Sequence, residues 1–305
     1  MLWARRPEVA RAINGLRENP DYLPGYKLPP PLTATSDLAE AVTGADAVIM
    51  AVPSHGFREV FSKASPGIEP DVPVVSLTKG IEQESLATMT QVVIEVSPGH
   101  DPGRVGVLTG PNLAQEIAAG QPTASVVAFR DHETAVSLQS LFMGPTFRVY
   151  TNDDVTGCEL GGALKNVMAI AAGMSDGLGF GDNTRATLIT RALAELTRLG
   201  IALGGRPSTF AGLAGMGDLI ATCISTGSRN HRVGFGLAGG RSLEEIVHEM
   251  RMVAEGVKTT RAVLDLAARA GIEMPIAAHV GRVLYEGMNP RDAVLSLMTR
   301  DPKSE

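Results

Sequence analysis

Apolar residues in the first half of the chain come in short unbroken runs. They fall at 45–52, 72–77, 105–108 and 124–128, with a weaker run at 147–150. Helical segments are predicted between them, over 57–63, 85–95, 114–119 and 133–141. Strands that are apolar on both faces and alternate with helices predict a parallel sheet covered on both sides, a Rossmann-like α/β arrangement. Upstream, residues 7–19 predict a helix with Pro7 in its first turn. Pro20, Pro24, Pro29, Pro30 and Pro31 make 20–31 an extended loop, and 38–42 holds one or two helical turns.

From Val155 onward the strand pattern stops. Helices are predicted over 159–172, 184–199, 210–223, 243–252, 258–270, 276–285 and 290–298. The break at 151–156 is a candidate boundary, giving a sheet domain at 1–152 and an all-helical domain at 153–305. A length of 305 residues suits two domains of about 150 each.

Composition narrows the class. A net charge of −6 lacks the basic footprint of a phosphate-backbone binder, and 4% aromatic residues give no stacking platform, so no nucleic-acid partner is expected. Cys158 and Cys223 make no disulfide framework and read as reduced, buried filler in a cytoplasmic protein. Residues 1–6 do not read as a signal peptide, and no apolar run approaches the roughly 18 residues of a membrane span. No metal site is assigned.

Three polar corners fall at the carboxyl ends of the predicted strands, where open parallel sheets bind ligands. They are Ser54-His55, Thr78-Lys79-Gly80 and Gly110-Pro111-Asn112. In the second half, Glu159-Leu160-Gly161-Gly162-Ala163-Leu164-Lys165-Asn166 leads into an Ala-rich apolar helix with no charge after Lys165. A desolvated lysine there suits proton transfer; the plainer alternative is a helix-end lysine paired with Glu159 on the surface. Asp218 and Thr222 are four apart, on one face of a helix, placed either to orient a lysine and a substrate hydroxyl or to let Asp218 cap that helix. Ser228, Arg229 and Asn230 stand in a predicted loop as equipment for gripping a phosphate, or as a solvated surface group. Asp182 or Asn183 caps the helix that follows. The literal Gly-x-Gly-x-x-Gly of 234–239 is set aside as a cofactor turn, because 229–233 is not a buried strand.

Taken in order, these stretches resemble the bacterial NAD(P)-dependent glycerol-3-phosphate dehydrogenases. The likeness runs through Leu2-Trp3-Ala4-Arg5-Arg6, Ala51-Val52-Pro53-Ser54-His55, Leu77-Thr78-Lys79-Gly80-Ile81-Glu82, Gly110-Pro111-Asn112 and the Glu159–Asn166 stretch. It continues in Gly179-Phe180-Gly181-Asp182-Asn183-Thr184-Arg185, Gly215-Met216-Gly217-Asp218-Leu219, Ser228-Arg229-Asn230 and Val253-Ala254-Glu255-Gly256. The resemblance implies interconversion of dihydroxyacetone phosphate and sn-glycerol 3-phosphate by NAD(P)H, feeding phospholipid synthesis.

By resemblance Lys165 is the catalytic acid and base, and Asn166, Asp218 and Thr222 line its pocket. Ser228, Arg229 and Asn230 hold the phosphate, Lys79 is shared by substrate and cofactor, and Gly110, Asn112 and Ala114 form the turn beneath both. Arg229, Val253 and Glu255 are expected to meet the cofactor. Arg5 and Arg6 stand at the end of the family's second strand, where arginine accommodates a 2′-phosphate, so NADP is expected over NAD. A homodimer is an expectation from the family. The first strand, glycine turn and helix with which the family opens are not in this sequence, and a misassigned start is the favoured reason. A related reductase of another small substrate remains open. So does a cofactor-defective paralogue that binds a phosphate ligand without turnover.

Overall fold

The computed structural model describes residues 1–250 and 253–301. Its first part runs β1 (Leu2–Trp3), α1 (Pro7–Leu16), β2 (Ala34–Thr35), α2 (Leu38–Val42), β3 (Val48–Met50), α3 (Ser54–Ala64) and β4 (Val74–Ser76). It continues through α4 (Met89–Val96), β5 (Val105–Thr109), α5 (Ala114–Ala118), β6 (Thr123–Ala128), α6 (His132–Phe142) and β7 (Phe147–Asn152). The second part is helical: α7 (Val155–Gly177), α8 (Asp182–Ala202), α9 (Pro207–Phe210), α10 (Asp218–Ile224) and α11 (Arg229–Ala238). It ends with α12 (Leu243–Glu249), α13 (Glu255–Ala270), α14 (Pro275–Glu286) and α15 (Pro290–Met298).

β3 to β7 form a five-stranded sheet in that order, and β1 pairs separately with β2. Pairing is parallel except between β5 and β6, where Leu108 faces Val127 in antiparallel register. The all-parallel expectation is corrected at this one seam. Only the five-residue α5 lies between these strands, too short to carry the chain back along the sheet as a parallel crossover requires. Phe57 and Phe61 of α3 cover one region of the sheet, and Leu138 of α6 packs on Val127 and Val149 in another.

The centre of the helical part is α7, buried along nearly its whole length. A helix that is apolar all round belongs inside a shell of others; α8, α10, α11, α13 and α14 pack against it. It is longer than the predicted 159–172, because Asp154 caps it by accepting the Gly157 N–H at 2.8 Å. The predicted helix 7–19 stops at Leu16, where Arg17 turns left-handed at φ 54°. The predicted 85–95 helix starts at Met89, where Thr88 and Gln91 form a capping box, and Ile81 pairs with Thr88 to close the loop before it. The predicted 210–223 helix is broken into α9, a π-turn at Leu213–Gly217 and α10. At Gly215 a Cβ would stand 2.2 Å from the Phe210 carbonyl oxygen, so the tight turn needs glycine there. Helix 243–252 is seen as α12; its last two predicted residues lie outside the described ones.

Glu195 of α8 is buried at the start of α14, accepting N–H bonds from Ile276 at 2.8 Å and Ala277 at 3.4 Å. Met274, at the N-cap of α14, supplies no side-chain cap, so Glu195 does that work from another helix. Burial nevertheless pushes its carboxyl up to about 7, against an ordinary 4.5. A carboxyl whose folded pKa is raised contributes most below its unfolded pKa, and that contribution is lost as pH rises through the folded value. Chemical denaturation at pH 4.5 and pH 7.5 should therefore show the native protein losing about 3 kcal/mol more than Glu195→Gln over this window. Parallel pH curves for the two proteins would overturn the assignment.

Candidate active site

A cavity of about 320 Å³ lies between the carboxyl ends of β3 and β4 and the helical part. Ala51, Val52, Pro53 and Leu77 give its sheet side an apolar wall. Lys165, Asn166, Asp218, Arg229 and Asn230 face it from α7, α10 and α11. Lys79, Asn112, Ala114, Val253 and Glu255 complete the part predicted from the residues.

Two lysines, Lys165 buried and Lys79 partly buried, share one carboxylate. Lys165 Nζ donates to Asp218 Oδ1 and Thr222 Oγ1, both at 2.6 Å. Lys79 Nζ donates to the other oxygen, Asp218 Oδ2, at 2.7 Å, to Asn112 Oδ1 at 2.7 Å and to the Gly110 carbonyl at 2.9 Å. An ammonium has three N–H donors. The protein uses all three on Lys79 but two on Lys165, which leaves one Lys165 donor for a ligand oxygen in the cavity. Burial draws Lys79 down to about 8; Asp218 opposes the shift and Lys165 adds to it. Burial alone would raise the Asp218 carboxyl, but the Lys165 and Lys79 ammoniums outweigh it and hold Asp218 below the usual aspartate range.

Local sequence explains how these groups meet. At Gly162, three residues before Lys165, a Cβ would stand 2.9 Å from Thr109 Oγ1 and 3.3 Å from Lys79 Cγ. Glycine thus lets the stem of Lys79 pass against α7. Gly110 sits at φ +124° with its carbonyl on Lys79, a turn that side-chain-bearing residues rarely adopt. The surface pair of Lys165 with Glu159 is not formed. Glu159 is buried and accepts the Thr90 N–H at 2.9 Å and its hydroxyl, joining α7 to the start of α4. Asp218 does not cap α10; its carboxylate is spent on the lysines.

The two asparagines tie elements together. Asn166 Nδ2 donates to the Lys79 carbonyl at 2.9 Å, and its Oδ1 accepts from Asn230 Nδ2 at 2.9 Å. Asn230 Oδ1 in turn accepts the Gly256 N–H at 2.9 Å. Arg229 opens α11 as a helical residue, correcting the loop expected through Asn230; Ser228 is the N-cap, its Oγ accepting the His231 N–H. Arg229 Nη1 donates to the Val253 carbonyl at 2.7 Å, and burial lowers its pKa while Glu255 opposes that. Glu255 accepts from Ser54 N at 3.1 Å and Ser54 Oγ at 2.5 Å, bridging to the start of α3. Gly110, Thr222 and Ser228 do not line the cavity and act on it through these bonds. Arg5 and Arg6 lie beyond β1, outside it. Arg6 is paired with Asp21 and Glu8, whereas Arg5 is exposed.

Sequence reasoning missed the apolar wall, the Glu159–Thr90 bond and the Ser54–Glu255 bridge. No local signal marks a bond between residues 69 or 201 positions apart. Among the described residues no cluster of His, Cys, Asp and Glu is placed to hold a metal, and no single helix is long and apolar enough to cross a membrane.

A ligand cavity at the carboxyl ends of a mainly parallel sheet, closed by a helical part that delivers a buried lysine, is the arrangement of a two-part dinucleotide-dependent oxidoreductase. The comparisons narrow that class. Residues 1–135 match the family model for the NAD-dependent glycerol-3-phosphate dehydrogenase N-terminus, and 154–295 match that for its C-terminus. A glycerol-3-phosphate dehydrogenase [NAD(P)+] of Sphingopyxis alaskensis is 60% identical over 92% of this chain and 83% of its own length. One from Thermobifida fusca is 51% identical over 100% of this chain and 90% of its own. The crystal structure of glycerol-3-phosphate dehydrogenase from Coxiella burnetii superposes with a TM-score of 0.93 at 38% identity, covering 98% of this chain and 91% of that one. The chain belongs to the NAD-dependent glycerol-3-phosphate dehydrogenase family.

Proposed function

We propose that the protein reduces dihydroxyacetone phosphate to sn-glycerol 3-phosphate, and catalyses the reverse, as an NAD(P)-dependent oxidoreductase. The observation that carries this is the spare donor of the buried Lys165 ammonium in a cavity also lined by Arg229. Nicotinamide, when bound, supplies the hydride. The apolar wall of Ala51, Val52, Pro53 and Leu77 would hold the nicotinamide and exclude water beside it.

Lys165 gives its proton to the carbonyl oxygen as negative charge gathers there; in the oxidative direction the neutral amine takes it back. Asp218 and Thr222 hold that amine in place, and Lys79 adds a second fixed positive charge. Arg229 and Asn230 grip the phosphate, with Ser228 capping their helix. Asn112 and Ala114 form the floor, with Gly110 behind them holding Lys79, while Val253, Glu255 and Arg229 meet the cofactor. The division at 152/153 follows the same reading, with the cofactor held mainly by the sheet part. A cytoplasmic homodimer supplying phospholipid synthesis completes it; sedimentation equilibrium tests the dimer.

Oxidation of NADPH with dihydroxyacetone phosphate, run beside other small ketones and 2-oxo acids, is the direct test. No turnover in the presence of calorimetrically measured dinucleotide binding would refute the substrate; no dinucleotide binding would favour a phosphate-binding protein.

NADP is the preferred cofactor in this reading, and Arg5 is the residue that recognises its 2′-phosphate, since Arg6 is already occupied by Asp21. Arg5→Ala should reduce the NADPH-over-NADH ratio of kcat/KM by about tenfold, the worth of one charge-assisted contact. Arg6→Ala should change it less. The opposite order would assign the contact to Arg6.

A further inference from the structure

α11, which opens with Arg229 and Asn230, lies alongside α7 and points the same way. Asn230 meets Asn166, Gly234 meets Ile170, and Ala238 meets Gly177. The backbones touch. A Cβ on Gly173 would stand 1.9 Å from the His231 carbonyl oxygen, and one on Gly234 would stand 1.9 Å from that of Ile170. Glycine contacts let the helices come close, and Val233 is buried in the core around α7, but apolar packing is non-directional and does not by itself fix one helix against the other.

Two side-chain bonds supply that restraint. On the cavity side Asn230 bonds to Asn166, as described. The other bond is away from the cavity and has no part in the chemistry proposed above. His231 Nε2 stands 2.8 Å from Asp176 Oδ2, near the end of α7. A carboxylate only accepts, so the ring nitrogen donates. Asp176 Oδ1 is held in turn by Arg185 of α8, through Nε at 3.2 Å and Nη2 at 3.0 Å. Arg185 also meets Asp182, but that carboxylate is almost fully exposed and orients little. His231 is buried, and its backbone N–H is the one bonded to the Ser228 hydroxyl that caps α11. Its ring and its backbone therefore both fix the turn that carries Arg229 and Asn230.

We infer that Asp176, acting through His231 and backed by Arg185, is a positioning residue for the phosphate grip. It sets where Arg229 and Asn230 stand relative to the Lys165 ammonium, and so the span across which a three-carbon phosphoester is held. This gives Arg185, in the glycine-rich stretch 179–185, a task that its place outside the cavity would not suggest. The inference deepens the proposed function and rests on Arg229 as the phosphate grip.

Steady-state kinetics with dihydroxyacetone phosphate and with dihydroxyacetone, which lacks the phosphate, separate positioning from general structural damage. Asp176→Ala and His231→Ala should raise KM for the phosphorylated substrate about tenfold or more, the effect of losing one charge-assisted hydrogen bond behind a binding group. They should leave kcat within about threefold, and should leave kcat/KM for dihydroxyacetone and KM for NADPH nearly unchanged. Arg185→Ala should give the same pattern more weakly, and His231→Gln, whose amide can still donate to Asp176, should recover part of the loss. If Asp176→Ala does not fold, Arg185→Ala and His231→Gln carry the same comparison. Arg229→Ala is the reference. If it raises KM for the phosphoester while the Asp176, His231 and Arg185 variants do not, the positioning role is overturned. Equal losses of activity on both substrates in those variants would overturn it as well. If Arg229→Ala itself leaves KM unchanged, the grip has been misplaced, and that is a separate failure of the reading beneath this one.

Discussion

Replacing Lys165 by methionine should lower kcat by a thousandfold or more while leaving the protein folded and able to bind NADPH. General acid catalysis by a positioned side chain contributes about 10²–10⁴. The lost ammonium also removes a charge aimed at the developing alkoxide, worth roughly another factor of ten or more. Methionine keeps the unbranched stem, so the packing of α7 should survive. Asp218 retains Lys79 at 2.7 Å, so the carboxylate is not left buried without a partner. Lys79→Met should behave differently. All three Lys79 donors are engaged by the protein, so its loss should loosen the Asn112 and Gly110 turn and raise KM more than it lowers kcat. Stopped-flow NADPH oxidation, with fluorescence titration of NADPH binding, distinguishes the two. A Lys165→Met enzyme retaining a tenth of native kcat, or a Lys79→Met enzyme with the greater loss in kcat, would move the acid role off Lys165.

The Rossmann-like half was legible because apolar strands announce themselves. The runs around Val48–Met50, Val74–Ser76 and Val105–Thr109 are apolar on both faces and end at polar corners, which is where the cavity lies. Their order in the sheet and the antiparallel seam at β6 were not legible, because pairing depends on connections whose path no local pattern states. α11 was missed for a different reason. Gly234, Gly236 and Gly239, with Arg229 and His231 at its start, give a poor intrinsic helix former. Packing decides it, since Gly234 allows α11 against α7 and Gly236 allows Ile246 against α11.

Individual site residues divide along the same line. Lys165, Asp218 and Thr222 could be suspected as a group, because the two polar residues lie on one helical face and the lysine sits on an apolar helix. Spacing could not choose between Asp218 as a lysine partner and Asp218 as a cap, nor show that Glu159 turns toward Thr90. Lys79 and Asp218 are 139 positions apart. Their bond follows from Gly162, which lets one chain segment lie against another.

Asp218→Asn tests the electrostatic centre of the molecule and should cost both activity and stability. The native carboxylate is the shared counter-charge between two ammoniums, Lys165 buried and Lys79 partly so, and removing one partner from a buried charge group destabilises by about 3–5 kcal/mol. For a chain of this size that is a fall in Tm of roughly 5–15 °C. Two lysines now face each other with no counter-charge, so the cheapest relief is loss of a proton. Lys79, already lowered to about 8 in the native protein, should fall further. A lysine whose folded pKa lies below its unfolded value binds fewer protons folded than unfolded. Its penalty is full below the folded pKa and disappears as pH rises toward about 10.4. The Tm difference between native enzyme and Asp218→Asn should thus be largest at pH 6–7 and shrink by more than half by pH 9.5, while kcat stays at least about a hundredfold down throughout. An equal Tm deficit at both ends of that range would mean that asparagine fails for reasons of shape rather than charge. The picture of one carboxylate holding two lysines in place would then have to be given up.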